Sequence, residues 1–239
     1  MVSQSSTRVV VAMDGPSGSG KSSTSRGVAA RLGLRYLDTG AQFRAFTAWM
    51  IEHDVDLADP TAIAARAAEP VIVSGTDPAD PTITVDGRDV AVEIRSQALT
   101  DHVSAVASVP EVRQRLLDLQ RSIIGTGGIV VEGRDIGSVV APDADVKVYL
   151  TADPEARAAR RTAENGAGSV EATQADLLRR DRIDSGRAVA PAMMPDGAVH
   201  IDTTPYTLAE VVDQVVALVH EAAGDRVREP SRPGSGSHP

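Results

Sequence analysis

The chain has 239 residues, 42% of them hydrophobic, and a formal net charge of −9 at pH 7. This length accommodates one large domain, or a core with a smaller inserted module. The acidic balance argues against a general binder of nucleic-acid polymers or membrane surfaces, which would present a basic face. The sequence contains no cysteine, which excludes disulfides and thiolate metal sites.

The N-terminal residues 1–8 are polar and lack the apolar core of a signal peptide. No run approaches the roughly 20 apolar residues that a membrane helix needs. We therefore expect a soluble, cytoplasmic protein that has no membrane partner.

The first part of the chain alternates strand-like and helix-like segments. Residues 8–13 form an apolar, β-branched run that is typical of a buried parallel strand. A glycine-rich turn follows, and residues 21–32 then have helix composition, with Gly33 as the stop signal. A second short strand is predicted over 34–37 and a second helix over roughly 41–53.

The pattern changes from about residue 54 to residue 100, where Asp and Pro become frequent. Two strand-like runs, 70–73 and 82–85, are followed by Asp86-Gly87, a strong two-residue hairpin signal. This pattern differs from alternating strands and helices, and it indicates a small inserted β module.

The alternation resumes in the second half of the chain. Helices are predicted around 99–124, and a new one starts at Pro110. Residues 153–185 are helical and rich in Arg, with a break near residues 165–168. Three further strands and a closing helix are predicted over 128–131, 146–150, 200–204 and 207–222.

The predicted fold class is α/β, with a three-layer αβα core, a mostly parallel sheet, an inserted β-containing module and a helical lid. The core comprises residues 1–65 and 106–228, the module 66–105, the lid about 155–187, and a disordered tail 229–239. Ligands of such sheets bind at the carboxyl ends of the strands. We expect the segments that follow the strands to meet at one edge.

Residues 15–22 match the phosphate-loop (P-loop) pattern G-x-x-x-x-G-K-[ST] at every fixed position. Glycines let several backbone N–H groups point at an anion, and the helix that follows adds partial positive charge. Lys21 suits the β and γ phosphates, and Ser22 suits Mg²⁺. Only two of the 24 basic residues are lysines, so a lysine at this position arises by chance at about the 1% level. The predicted nucleotide-binding residues are Gly15, Pro16, Ser17, Gly18, Ser19, Gly20, Lys21, Ser22 and Ser23.

This motif indicates a nucleoside triphosphate without specifying the reaction. A switch GTPase needs an Asn-Lys-x-Asp guanine reader, yet the only later lysine, Lys147, follows Val146 inside a predicted strand. A motor or transporter ATPase would normally be larger. A small-molecule kinase fits better, because phosphoryl transfer needs several cations around the moving group.

Arginines of the lid segment supply these cations. Arg157, Arg160 and Arg161 share one face of a predicted helix through their i, i+3 and i+4 spacing. A solvated helix face is the alternative, as it is for most arginine runs. The acidity of the whole chain and the glycine-containing break favour a mobile lid.

Five motifs together resemble the bacterial cytidylate kinase family in order and spacing. They are residues 15–23, 37–44, 132–137, 180–187 and 201–204. The resemblance covers about residues 8–222. It implies a nucleoside monophosphate kinase fold, ATP with Mg²⁺ as the donor, CMP or dCMP as the acceptor, and a monomer.

The resemblance also implies roles for individual residues. Ser104, Arg113 and Asp135 would read the cytosine or support its recognition, and Arg44, Arg134 and Arg187 suit phosphate. The implied substrate contacts are Thr39, Arg44, Ser104, Arg113, Asp135, Arg180, Asp184 and Arg187. The implied catalytic residues are Lys21, Arg134, Arg157, Arg161 and Arg187, with Arg157 and Arg161 as lid arginines that close on ATP.

These residue types suit cytosine. Its amino group donates to an Asp or Ser oxygen, whereas its ring nitrogen and carbonyl accept from an Arg fork. Uracil places a carbonyl where the amino group stood, which leaves a buried acceptor unpaired.

Several acidic positions and one aromatic position carry alternatives. Asp14 orders Mg²⁺ through water or caps the turn, and Asp38 positions the acceptor phosphate or, as we favour, caps the next helix. Glu132 stands where Asp is common and Phe43 where Tyr is common, which leaves the contacts of both open. Of the aromatic residues, Trp49 is interpreted with Phe46 as core.

Two other functions stay open from sequence. One is a P-loop kinase of a different small substrate, such as UMP, AMP or a sugar acid. The other is a nucleotide-binding regulator without catalytic activity.

Overall fold

The computed structural model describes residues 8–165, 169–187 and 189–228. The predicted tail 229–239 and the middle of the predicted break, 166–168, lie outside these residues. The strands are β1 (Val10–Asp14), β2 (Arg35–Asp38), β3 (Ile72–Ser74), β4 (Ile83–Val85), β5 (Arg88–Asp89), β6 (Ile129–Glu132), β7 (Val146–Thr151) and β8 (Val199–Asp202). The helices are α1 (Lys21–Leu32), α2 (Thr39–Glu52), α3 (Pro60–Ala65), α4 (Gln97–Val106), α5 (Pro110–Ile124), α6 (Pro154–Asn165), α7 (Val170–Ser185) and α8 (Leu208–Arg228).

A five-stranded sheet in the order β2-β6-β1-β7-β8 forms the centre of the molecule, and all its strand pairs are parallel. Its strands are nearly continuous apolar runs because helices cover both faces. On one face, β1 and β7 pack against α1 and α8. On the other, β6 packs against α5 and against a wide turn, Ile136–Val140. The predicted α/β class and parallel sheet are confirmed.

The inserted segment forms a three-stranded antiparallel sheet in the order β3-β4-β5. Asp86 and Gly87 join β4 to β5 with φ angles of 50° and 79°, which is the left-handed pair that a tight hairpin requires. The core beneath this sheet is shared with α2, which contributes Phe46 and Trp49, as predicted. The Trp49 indole Nε1 donates to Asp86 Oδ2 at 2.7 Å and thereby fixes the hairpin.

The connection between β3 and β4 returns to the main sheet. The Tyr36 backbone N–H donates to the Thr76 carbonyl at 2.9 Å. Arg26 of α1 donates to the Pro78 and Ala79 carbonyls at 2.8 Å and 3.0 Å. Since β2 is an edge strand, this connection covers an edge that would otherwise be exposed.

Predicted strands and long helices lie within a few residues of their observed positions, including Lys147 within β7. Helix α3 was not predicted, because six residues carry little periodicity and Asp59-Pro60 resembles a turn. In the structure the Asp59 side chain caps this helix by accepting from Thr61 N, with Pro60 in the first turn. The turn at 136–140 was also not predicted. Among the described residues no helix is long and apolar enough to cross a membrane.

Gly15 and Gly33 make a matched pair for testing how tightly the P-loop packs. Both have positive φ, but a Cβ on Gly15 would lie 2.0 Å from the Leu150 carbonyl oxygen, whereas one on Gly33 meets nothing within 4 Å. We expect Gly33→Ala to lower the free energy of unfolding by about 1 kcal/mol. Gly15→Ala should cost at least about 3 kcal/mol, since it adds a backbone clash. Urea unfolding measures both, and equal losses would contradict the packing argument.

Candidate active site

The P-loop leaves β1 and enters α1 through three glycines with positive φ, namely Gly15, Gly18 and Gly20. Gly20 is the residue before α1, so the N-terminus of this helix points into the loop. Lys21 follows, and its Nζ donates to the Pro16 carbonyl at 2.8 Å. Burial, and then the nearby charge of Arg134, lower the pKa of Lys21. The loop therefore has the shape and charge of an anion nest.

Ser22 contacts Glu132 from across the sheet. The Ser22 hydroxyl donates to Glu132 Oε2 at 3.0 Å, and the Tyr36 hydroxyl donates to Oε1. Burial, followed by the charge of Asp38, raises the pKa of the Glu132 carboxyl, while Lys21 opposes this shift. The open question about Glu132 thus has a structural answer, since its carboxylate holds the P-loop serine on one oxygen and a buried tyrosine on the other.

Asp14 is fully buried and accepts two backbone hydrogen bonds. Its Oδ1 accepts from Ile136 N and its Oδ2 from Gly137 N, both at 2.8 Å. Of the two predicted roles, this geometry matches capping. The capped turn, however, is the one after Asp135 and not the P-loop turn. Asp14 therefore ties the end of β1 to the segment that carries Arg134 and Asp135.

Asp38 caps α2 by accepting from Ala41 N at 2.8 Å, as we favoured from the sequence. Its neighbour Thr39 is buried and donates from its hydroxyl to the Glu132 carbonyl at 2.7 Å. The Thr39 oxygen keeps lone pairs for a ligand.

Arg113 and Asp135 form a buried ion pair. Arg113 Nη1 also donates to the Ala107 carbonyl at 3.1 Å, and its guanidinium lies 5.5 Å from the centre of the Phe43 ring. Burial dominates both groups, so it lowers the pKa of Arg113 and raises that of Asp135. Phe43 thus contacts this arginine through its ring face, a contact that does not need the phenol of tyrosine.

Asp184 of α7 connects the lid to the residues around this pair. It accepts from the Ser104 hydroxyl at 3.4 Å and pairs with Arg187 at 2.6 Å and with Arg134 at 3.3 Å. Arg187 in turn influences both Arg113 and Asp135 electrostatically. The structure thus brings the base-reading candidates together, and it places Arg187 next to them rather than next to Arg44.

Arg44 belongs to a second group of arginines. Burial, together with the charges of Arg180, Arg161 and Arg134, lowers the pKa of Arg44 to about 10. Burial and Arg134 likewise lower the pKa of Arg180. Guanidinium groups that disfavour one another in this way favour an anion between them.

Lid arginines contact the P-loop directly. Arg157 is buried and donates from Nη1 to the Ser17 carbonyl at 3.1 Å and to Asp181 Oδ2 at 2.5 Å. Arg160 donates to the Thr203 carbonyl at 2.9 Å, and the Thr203 hydroxyl donates to the Ser19 carbonyl at 3.1 Å. The lid helices α6 and α7 therefore lie against the donor loop.

Three buried arginine donors lack a partner within the described chain. They are the Nε groups of Arg157, Arg180 and Arg187. A buried donor without an acceptor is costly, so such groups point to an acceptor that a ligand supplies. A cleft of about 560 Å³ opens next to the P-loop, and Pro16, Arg134, Tyr149 and Asp181 are among its lining residues.

Sequence reasoning gave no site role to Tyr36 or Asp181, and it named Arg160 only as one of three lid cations. Tyr36 reads as an ordinary strand residue, and no local signal marks its hydroxyl. Arg160 was placed on the correct helix face but omitted from the candidate site. Asp181 lies inside the 180–187 motif, where its position three residues before Asp184 could have signalled a shared helix face.

A parallel sheet with a phosphate loop at the carboxyl ends of its strands, facing a lid of buried arginines, defines a P-loop kinase. A family model described as cytidylate kinase matches residues 11–221. The chain belongs to the cytidylate kinase family.

Individual relatives agree with this assignment. The chain is 59% identical over 215 residues to a cytidylate kinase of Streptomyces avermitilis, covering 89% of this chain and 93% of that protein. It is 60% identical over 213 residues to one of Streptomyces griseus, covering 88% and 92%. A solved structure of an uncharacterized protein from Eubacterium ventriosum is 8% identical, with a TM-score of 0.53 over 90% of this chain and 99% of that one. That likeness shows the fold alone.

Burial of Asp14 predicts a pH-dependent effect on stability. Burial raises the pKa of Asp14 from 3.8 to about 6. Between these values the folded chain binds more protons than the unfolded chain, so the contribution of this group to the free energy of unfolding falls as pH rises. In Asp14→Asn that titration is absent. The free energy of unfolding of the wild type minus that of the variant should therefore fall by about 2.4 kcal/mol from pH 4 to pH 7.

Urea unfolding of both proteins at pH 4, 5, 6 and 7 measures this difference, and other titrating groups cancel in it. A difference that stays constant with pH would contradict the argument from burial.

Proposed function

We propose that the chain transfers the γ-phosphoryl group of ATP to CMP or dCMP, giving ADP and CDP or dCDP. The observation that carries this proposal is the position of the buried arginines. Arg134 donates to the Gly15 carbonyl of the P-loop at 3.4 Å and pairs at 3.3 Å with Asp184, whose charge acts on Arg113. The charge of Arg134 also acts on Arg44 and Arg180. A nucleoside monophosphate suits this arrangement, because its phosphate needs the cluster of arginines while its base needs the paired donor and acceptor groups of Arg113 and Asp135.

The P-loop amides and Lys21 are assigned to the donor phosphates. Lys21 is held by the Pro16 carbonyl, so it can turn to a phosphate oxygen with its charge already inside the loop. Arg157 and Arg161 approach from the lid, and the unpaired Nε of Arg157 supplies one donor for a phosphate oxygen. These positive groups would stabilise the charge that moves during transfer.

Mg²⁺ fits the donor side of the site. The Ser22 hydroxyl and the Glu132 carboxylate lie 3.0 Å apart, and both are the oxygen ligands that this ion prefers. Asp14 is assigned to the turn after Asp135, because its two oxygens accept from the Ile136 and Gly137 backbone N–H groups. We assign Ser22 as the protein ligand, with Glu132 orienting its hydroxyl. When bound, Mg²⁺ would neutralise charge on the donor phosphates.

The acceptor phosphate is assigned to Arg44, Arg134 and Arg180. The Nε group of Arg180 has no acceptor among the described residues, and Arg44 is surrounded by like charges. A phosphate dianion would supply the acceptor and offset the repulsion. The attacking atom is an oxygen of this phosphate, which is already anionic. No general base is required, so the chain has to position and neutralise rather than remove a proton.

The base is assigned to Ser104, Arg113 and Asp135, and Asp184 and Arg187 support them. The Arg113 fork is fixed by Asp135, Ala107 and the Phe43 ring, so its orientation exists before a ligand binds. A preorganised fork beside a carboxylate matches the donor and acceptor pattern of cytosine. Thr39 and Asp184 are further contacts with the acceptor nucleotide.

The resemblance to the family supports a monomer. The use of ATP supports a cytoplasmic location.

An acceptor panel tests the proposed function. ADP release is followed with MgATP and each of CMP, dCMP, UMP, AMP, GMP and gluconate. We expect CMP or dCMP to give the highest kcat/KM. Faster turnover of UMP or AMP would refute the cytosine assignment, and turnover of gluconate alone would indicate a sugar-acid kinase. Binding of ATP without ADP formation in any mixture would indicate a regulator.

Replacement of Arg113 separates the two substrate sites. Arg113→Ala removes the fork and leaves the buried Asp135 without its partner, so we expect the KM for CMP to rise by about 30-fold or more. The KM for ATP should change by less than about 3-fold, because the P-loop is untouched. Arg115→Ala, on the exposed side of the same helix, is the control and should leave both constants unchanged. Equal effects of Arg113→Ala on both substrates would contradict the assignment.

A further inference from the structure

Asp181 of α7 contacts two arginines, Arg157 and Arg134, which the proposed function assigns to different substrates. Its Oδ2 pairs with Arg157 Nη1 at 2.5 Å, and its Oδ1 pairs with Arg134 Nη1 at 3.3 Å. Arg157 also contacts the P-loop at the Ser17 carbonyl. Arg134 directly precedes Asp135, the base-reading candidate. One carboxylate therefore bridges the donor side and the acceptor side.

The bridge continues from Arg134 into the base-reading group. The other terminal nitrogen of this residue, Nη2, pairs with Asp184 at 3.3 Å, and Asp184 pairs with Arg187 at 2.6 Å. Charges alternate along the whole path, from Arg157 through Asp181, Arg134 and Asp184 to Arg187. Asp181 and Asp184 are three residues apart on α7, so a single helix carries both of the carboxylates that pair with Arg134.

The link is shielded enough to matter energetically. The side chain of Arg157 is 5% exposed, that of Arg134 18% and that of Asp181 23%, so the pairs are screened less than surface ion pairs. Without the carboxylate, two guanidinium groups would face each other next to the P-loop. Their repulsion would favour a lid that lies away from the loop.

We propose that Asp181 is a positioning residue that couples the two substrate sites. It fixes Arg157 over the P-loop and Arg134 beside the acceptor in the same lid position, so that occupation of one site strengthens binding at the other. The inference rests on the proposed function, since it assigns the two arginines to ATP and to the nucleoside monophosphate. Asp181 itself touches neither reacting phosphate in this scheme; it acts through its partners.

Titration calorimetry tests the coupling directly. The Kd of CMP is measured alone and with a saturating non-hydrolysable ATP analogue plus Mg²⁺, and the ratio of the two values is the coupling factor. For the wild type we expect a factor of about 5 or more, in the usual range for coupled sites. For Asp181→Asn we expect a factor near 1, while the Kd of CMP alone changes by less than about 3-fold. In turnover, kcat should fall by a larger factor than either KM changes.

Glu171→Gln is the matched control, because it removes one carboxylate charge from an exposed position in the first turn of the same helix. Its coupling factor should equal that of the wild type. Asp181→Glu keeps the charge but shifts the carboxylate, and we expect an intermediate factor. Thermal unfolding shows whether Asp181→Asn is folded. If it is not, the coupling factor of Asp181→Glu decides, and a value equal to that of the wild type overturns the inference.

Other outcomes are equally distinct. An unchanged factor in Asp181→Asn, or a factor of 1 in the wild type, overturns the inference while leaving the proposed function intact. Tighter binding of the ATP analogue alone by Asp181→Asn would mean that the carboxylate competes with phosphate, which also overturns it. Failure of the wild type to bind either CMP or dCMP would refute the proposed function itself.

Discussion

Burial of positive charge is the constraint on which the site depends. Arg44, Arg113 and Arg180 are all held where burial lowers their pKa values, and burial opposes the charged form of each. The chain offsets this with a few carboxylates that each contact more than one arginine, notably Asp181 and Asp184. The compensation is incomplete, because some guanidinium donors keep no acceptor. In the proposed function, a phosphate dianion completes it.

The parallel sheet determines where the acids of the site lie. Strands β2, β6 and β1 are neighbours, and Asp38, Glu132 and Asp14 stand at their carboxyl ends. Each of the three has its own donors. Asp38 accepts from the N-terminus of α2, Glu132 from two hydroxyl groups, and Asp14 from two backbone amides. None of the three is a free carboxylate, and the local hydrogen bonds assign each of them a separate structural task.

Much of this arrangement was predictable from the sequence, for reasons that are physical. A phosphate nest requires particular backbone angles and a positive charge, which the glycines and Lys21 of the P-loop supply. The Asp86-Gly87 turn requires two positive φ angles, which these residue types adopt readily. Asp14 shows the limit. Its neighbours in sequence suggested a cap on the P-loop, whereas its partners, Ile136 and Gly137, are more than 120 residues away and belong to a turn without a sequence signature. The dual contacts of Glu132 depend in the same way on strand order.

The loop between β3 and β4 has a mechanical consequence. It is fastened to β2 at Tyr36 and to α1 at Arg26, so the inserted sheet is attached to the rest of the molecule there, in addition to its chain connections and its shared core with α2. A third attachment of this kind restricts free hinging and leaves small sliding movements as the easier deformation. Since Arg26 lies one turn beyond Lys21, any such sliding pulls on the helix whose first residues form the P-loop.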